Sequence, residues 1–199
     1  MNPMIILPGV LVRDSAGNIL DASSTVTLIR SEDKGNILID TGEPSRRLEL
    51  LSALKKKAGM VPADINFLVV THSHIDHVGN NELFVNANIL AHKTDFLGRG
   101  GKCFGITLIK EGYVISEQPR AYVIETPGHT RGSISVIVES DKIYAITGDA
   151  LPIEDNYKQW VPPGINIDPA LAIKSMERIV KIADVIIPGH DNMFEINRS

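Results

Sequence analysis

The chain of 199 residues carries a single cysteine, Cys103. That excludes an internal disulfide framework and gives no argument for an oxidising compartment. No apolar run reaches the roughly 18 residues that a membrane-spanning helix needs. The N-terminal segment lacks the basic, apolar and small-residue order of a secretory signal. Positive charge is not in excess either. The formal net charge is −4, so composition offers no broad footprint for nucleic acid, though a local basic groove stays open. Neither an internal repeat nor a Pro/Gly-rich linker divides the chain. The expectation is one cytoplasmic domain over residues 1–199, with no membrane partner.

What is present suits a globular fold. The sequence is 43% apolar, and a chain of this length buries a full core without a disulfide or metal to hold it. Period-two and β-branched runs predict strands at Met4–Val12, Thr25–Arg30, Gly35–Asp40 and Ile65–Val70. Between them, Leu48, Leu51, Leu54 and Ala58 form a helical stripe over Ser45–Ala58, with Lys55, Lys56 and Lys57 in its last turn and Gly59 as the stop. The three lysines read as a solvated helix end rather than a binding patch. Further strands are predicted at Asn88–His92, Ile106–Ile109, Tyr113–Ile115, Ala121–Glu125, Ile134–Glu139, Lys142–Thr147 and Asp184–Ile187. Asp168-Pro169 is a helix start, Asp as N-cap and Pro at the first helical position. Leu151–Ile167 reads as long and irregular. Gly98–Gly105 is a glycine-rich loop without the lysine and serine or threonine of a phosphate cradle.

The chemistry concentrates in Val70-Thr71-His72-Ser73-His74-Ile75-Asp76-His77-Val78-Gly79-Asn80. Three of the six histidines and one aspartate fall within residues 72–77, at the end of an apolar strand. An extended backbone points His72, His74 and Asp76 the same way, whereas a helix splays an i, i+2 pair by roughly 200°. Neutral imidazole and carboxylate together suit zinc, iron or manganese. Histidine or aspartate also ends three later strands, at His129, Asp149 and His190.

Taken in order, Asp40-Thr41-Gly42, Thr71-His72-Ser73-His74-Ile75-Asp76-His77, Thr126-Pro127-Gly128-His129-Thr130, Gly148-Asp149 and Pro188-Gly189-His190 resemble the metallo-β-lactamase superfamily. The blocks span residues 40–190, and the strands before them suit the same fold. The resemblance implies an α/β, four-layer αββα sandwich with the site at one edge between two sheets. It implies two divalent metal ions, zinc first, with iron or manganese as alternatives. His72, His74 and His129 would hold one ion, Asp76, His77 and His190 the other, and Asp149 would bridge. Asp76 would also orient or deprotonate the attacking water. Asp40 would fix the histidine cluster from beneath; as a residue alone it also reads as a plain turn former before Gly42. Aspartate rather than cysteine at 149 sets the chain apart from the best-known β-lactamases and nearer the glyoxalase II, lactonase and nuclease branches. The compact metallo-β-lactamase-domain-containing protein 1 subgroup resembles it most.

Four functions follow from that resemblance. The first is a dinuclear hydrolase of a small ester, thioester or lactone. A phosphodiesterase or ribonuclease, with RNA as partner, uses the same ions. A mononuclear iron sulfur dioxygenase would use His72, His129 and Asp149 alone. The fourth is a non-enzymatic scaffold. A homodimer is open. Trp160, Tyr157 and Lys158 are candidates for the pocket wall, with Trp160 packing its own loop as the alternative. Arg131 could meet an anionic substrate or lie on the surface. His92 and Cys103 match no motif position: His92 reads as a packing or surface histidine, and Cys103 as a structural or free thiol.

Overall fold

A computed structural model describes residues 1–96 and 105–197, with the side chain of Phe96 outside the description. Residues 98–104 of the glycine-rich loop, Cys103 among them, therefore lie outside the described residues. Strands β1 (Met4–Leu7), β2 (Val10–Arg13), β3 (Ile19–Ser23), β4 (Val26–Ser31) and β5 (Gly35–Ile39) lead to a helical segment. It opens on a turn at Pro44–Arg46, continues as α1 (Arg47–Ala53) and widens over Leu54–Ala58. Then come β6 (Phe67–Val70), α2 (Ile75–Val78), β7 (Asn88–His92), α3 (Lys93–Phe96) and β8 (Ile106–Ile109). The second half runs β9 (Val114–Glu117), β10 (Arg120–Glu125), β11 (Ile134–Glu139), β12 (Ile143–Gly148), α4 (Glu154–Gln159), α5 (Pro169–Ile182), β13 (Val185–Pro188) and β14 (Phe194–Glu195).

The strands form two six-stranded sheets, ordered β1-β4-β5-β6-β7-β8 and β14-β13-β12-β11-β10-β9, and a separate β2–β3 hairpin. Strand side chains alternate between faces, and the core divides accordingly. Ile37, Ile39 and Val69 meet Val123, Val136 and Ile146 between the sheets. Leu38 and Leu68 face outward onto Leu50 and Leu54 of the first helical segment. Ile137, Ala145 and Ile186 face outward onto Met176 and Ile179 of α5. The order is helix, sheet, sheet, helix, the predicted four layers. Each fully buried Leu or Ile contributes about 1.5–3 kcal/mol against leaving it in water.

Local signals explain the helices. The side chain of Asp168 caps α5 by accepting from the Leu171 N–H at 3.0 Å, and Pro169 follows it. Gly59 stops the first helical segment in the left-handed conformation, φ 72°, with Lys55–Lys57 exposed before it. The predicted stripe on that segment is corrected: Leu50 and Leu54 are buried, whereas Leu48 is 80% exposed. Entry through the turn at Pro44 sets which face meets the sheet, and Leu48 lies roughly 200° round from Leu50.

Three further expectations change. Met4–Val12 is two strands, broken at Pro8-Gly9, because Gly9 is pressed against His190: a Cβ there would stand 2.6 Å from the His190 Cα. The irregular segment 151–167 holds α4, closed by Asn156, whose amide donates to the Val161 and Pro162 carbonyls. The histidine stretch is not extended throughout. β6 stops at Val70, and the N–H groups of His77 and Val78 donate to the His74 carbonyl, winding Ile75–Val78 into α2.

Candidate metal centre

Strand direction gathers the site. β10 and β12 are both antiparallel to β11, so they run alike, and β13 is parallel to β12. The three therefore end at one edge, followed by His129, Asp149 and His190. In the other sheet β5 and β6 are parallel neighbours that end at Asp40 and Thr71. The turn into α2 then separates the cluster into two sets. His72 and His74 stay with the strand end, and Asp76 and His77 are carried toward His190. Had the backbone stayed extended, His77 would have pointed away from Asp76.

Close backbone packing fixes the later arms. Gly128, at φ 135°, lies against α5 so tightly that a Cβ would stand 2.4 Å from the Ala172 nitrogen. Its carbonyl accepts from the Ile167 N–H at 2.8 Å, which sets the direction of His129. A Cβ on Gly189 would stand 2.3 Å from Asp149 Oδ1, so only glycine leaves room for that carboxylate.

The structure brings all seven sequence-predicted ligand side chains together. His72, His74 and His129 form one group able to hold a metal ion, and Asp76, His77 and His190 form another. His129 Nε2 lies 3.2 Å from His72 Nε2 and 2.9 Å from His74 Nδ1. His77 and His190 approach through their Nε2 atoms at 3.4 Å. Asp149 stands between: Oδ2 is 3.4 Å from His129 Nε2, and Oδ1 is 3.2 Å from His77 Nε2 and 3.1 Å from His190 Nε2.

The outer nitrogens are anchored. His129 Nδ1 donates to the Ile165 carbonyl at 2.7 Å, and His190 Nδ1 to the Ser23 carbonyl at 2.9 Å. His77 Nδ1 meets Asp40 Oδ2 at 2.7 Å. Asp40 also accepts from the Thr71 N–H and hydroxyl, at 2.8 and 2.7 Å. It holds His77 and the start of the histidine stretch from behind, at a left-handed φ of 56°. With Nδ1 committed outward, each of these Nε2 atoms faces inward, with a lone pair when the ring is neutral. Lone pairs facing one another at this range repel unless a cation lies among them. Asp149 Oδ1 is buried without a hydrogen-bonding partner, because the imidazoles beside it are close but misaligned. Converging nitrogens plus an orphaned carboxylate oxygen fit a divalent ion.

Protonation divides the two groups. Burial pushes His72 and His74 below the usual imidazole range, and neighbouring imidazoles add to it. Burial also opposes charge on His77 and His190, but Asp149, joined at His77 by Asp40, outweighs it and raises both. Burial works against the Asp149 carboxylate too, yet His190 and His77 hold it well below its ordinary range. This spot demands positive charge. Protons and a divalent ion would compete for the same imidazole nitrogens there.

The cleft above has a volume of about 360 Å³ and is floored by His74, Asp76, His129, Asp149 and His190. Its walls differ from the expected ones. Leu11, Arg13 and Ile19 of the hairpin line one side, and Ile153, Pro163 and Ile165 another. Trp160, Tyr157 and Arg131 are not on the lining. Tyr157 stacks on Phe194 at 5.5 Å, Trp160 ends α4 and is 42% exposed, and Arg131 points to solvent. Lys158 pairs with Glu154 on the surface. His92 is buried and meets Glu125 at 3.2 Å, a packing role. Sequence reading missed the Ile165 and Ser23 anchors because backbone carbonyls carry no residue signature. The hairpin wall had a weaker signal: short apolar runs, Val10-Leu11-Val12 and Ile19-Leu20, on either side of the Asp14–Asn18 turn.

Comparison with known proteins agrees with this architecture. The family model of the metallo-beta-lactamase superfamily matches residues 20–93. A probable metallo-hydrolase of Methanocaldococcus jannaschii is 35% identical over 95% of this chain and 86% of its own. Metallo-beta-lactamase domain-containing protein 1 of Xenopus laevis is 33% identical, covering 92% and 77%. An N-acyl homoserine lactonase of Bacillus thuringiensis is 29% identical, covering 79% and 67%. Among solved structures, a metallo-beta-lactamase-like protein of Thermotoga maritima superposes with a TM-score of 0.77 at 24% identity, over 97% of this chain and 98% of that one. Fold, ligand-bearing strand ends and relatives converge: the chain belongs to the metallo-β-lactamase superfamily and is a metal-dependent hydrolase.

Proposed function

We propose that the chain is a two-metal hydrolase of small esters, thioesters or lactones, with zinc as its first-choice ion. The observation that carries this reading is the pair of ligand groups meeting on Asp149 at the floor of one cleft. The cleft's volume suits a small molecule, and its walls are largely aliphatic. The lactonase relative, which acts on a cyclic ester by its name, belongs to the same substrate class.

When bound, two divalent ions supply Lewis acidity toward a carbonyl and bring the ionisation of water toward neutral pH. The chain's own groups do the rest. Asp76, partly exposed at the cleft floor, takes a proton from the attacking water and returns it to the departing alcohol or thiol. Asp149 and Asp40 hold the imidazoles in one orientation, so the site does not reorganise during reaction. Leu11, Ile19 and Ile165 seat the acyl portion.

Elemental mass spectrometry on protein purified without added metal, followed by a panel of esters, thioesters, lactones and single-stranded RNA, tests the proposal. The expected result is about two zinc ions per chain and hydrolysis within the acyl panel that vanishes in His74→Ala. Cleavage of RNA with the acyl panel untouched would transfer the same residues to phosphodiester chemistry. One iron per chain with oxygen uptake on glutathione persulfide would replace the hydrolase reading outright.

A further inference from the structure

Asp95 belongs to neither ligand group and to no motif block. It lies on α3, directly after β7, and its two carboxylate oxygens divide their work. Oδ2 accepts from the Ser73 N–H at 3.1 Å and from the Thr130 hydroxyl at 3.0 Å. Oδ1 accepts from the Gly132 N–H at 3.1 Å. Ser73 stands between His72 and His74, and Thr130 follows His129. One carboxylate thus ties the loop after β6, in the first sheet, to the loop after β10, in the second. These loops carry the three imidazoles of the first ligand group.

The approach is tight by construction. A Cβ on Gly132 would stand 2.7 Å from Asp95 Oδ1 and 2.8 Å from His92 Nδ1. His92 seats α3 from below: its Nδ1 accepts from the Thr94 N–H at 3.3 Å, and its Nε2 meets Glu125 at the end of β10. The buried histidine without a motif role thereby supports the turn that presents Asp95.

We propose that Asp95 is the positioning residue of the first metal group: its carboxylate locks the loops of His72-His74 and His129 at the separation a single ion requires. The proposal rests on the metal-dependent reading above. It assigns no such role in the second group, whose supports are Asp40 and the Ser23 carbonyl. Hydrogen bonds that fix ligand orientation typically contribute 10–100-fold to metal affinity.

Zinc affinity, measured by competition with a chromophoric chelator, separates positioning from general support. His190→Ala cripples the second group, so its remaining tight site reports on the first; His74→Ala does the reverse. Adding Asp95→Ala is expected to weaken zinc about 10–100-fold in the His190→Ala background and to stay within about twofold in the His74→Ala background. Equal losses in both backgrounds, or none in the first, would overturn the proposal. Asp95→Asn, nearly the same shape, is the second variant should the alanine chain not fold, and the same selectivity is expected of it. A wild-type chain that takes up no zinc would sink the functional reading as well. Zinc uptake without selective loss would sink the Asp95 role alone.

Discussion

The two ligand groups differ in how they are held and in what competes for them. The first is three imidazoles: His129 is anchored by a backbone carbonyl, and His72 and His74 are pushed toward neutrality by burial and by neighbouring imidazoles. The second carries a carboxylate of its own, Asp76, and its imidazoles face Asp149, with Asp40 behind His77. Carboxylates raise its histidines above the ordinary imidazole range. Protons therefore compete with an ion more strongly at His77 and His190 than at His72 and His74. The number and type of donors alone would not separate them; the atoms behind the donors do.

Removing the charge behind His77 should give the largest effect on that contrast. Asp40→Asn keeps a side chain that tolerates the left-handed φ, yet it takes away the negative charge. Zinc affinity of the second group is expected to fall about 10–100-fold, and that of the first by less, because Asp40 reaches it only through Thr71. Chelator competition in the His74→Ala and His190→Ala backgrounds reads the two separately, and equal losses would erase the distinction.

Acid should reveal the same contrast with a smaller amplitude. Asp149 raises His77 and His190 above the ordinary imidazole range, so protons compete at these sites as pH falls through the neutral range. His72 and His74 have theirs below it and stay unprotonated there. Between about pH 7.5 and 6, zinc affinity of the second group should fall roughly tenfold per pH unit for each proton displaced. The first should change little until lower pH. Zinc per chain after dialysis across this range checks the order of loss, and simultaneous release would contradict it.

The smallest effect concerns the cleft mouth. Arg13 lines it from the hairpin, whereas Arg131 points to solvent. Arg13→Ala is expected to raise KM by a few-fold, about 1 kcal/mol, on whichever acyl substrate is turned over, and Arg131→Ala to leave it unchanged. The reverse ranking in steady-state kinetics would restore Arg131 to the pocket.

Much of this was legible because the signals were local. Asp168-Pro169 announces its helix by capping chemistry, and Gly59 announces a stop by conformational freedom. The ligand residues stand at strand ends, which periodicity can find. Their convergence was less local: it depends on β10, β12 and β13 running the same way, a fact of sheet pairing. The turn of Ile75–Val78 escaped because four residues are too few for a helical period to show. Leu48 misled because helical spacing is satisfied by more than one face, and the sheet chose Leu50 and Leu54. Asp95 escaped for another reason. Its partners Ser73, Thr130 and Gly132 lie 22 to 37 positions away, and a lone aspartate after a strand carries no spacing to read.

The β2–β3 hairpin stands outside both sheets, and its two ends have different obligations. At its root, the Ser23 carbonyl holds His190 and the Ser24 N–H donates to the Asp76 carbonyl at 2.9 Å. Toward its tip, Leu11, Arg13 and Ile19 line the cleft, with Asp14 and Gly17 closing the turn. Residues near the turn can therefore be exchanged without touching the register of either six-stranded sheet or the Ser23 and Ser24 contacts at the root. For protein engineering, this makes the hairpin a replaceable cassette. Libraries confined to positions 11–20 would explore new substrates while the catalytic floor is inherited intact.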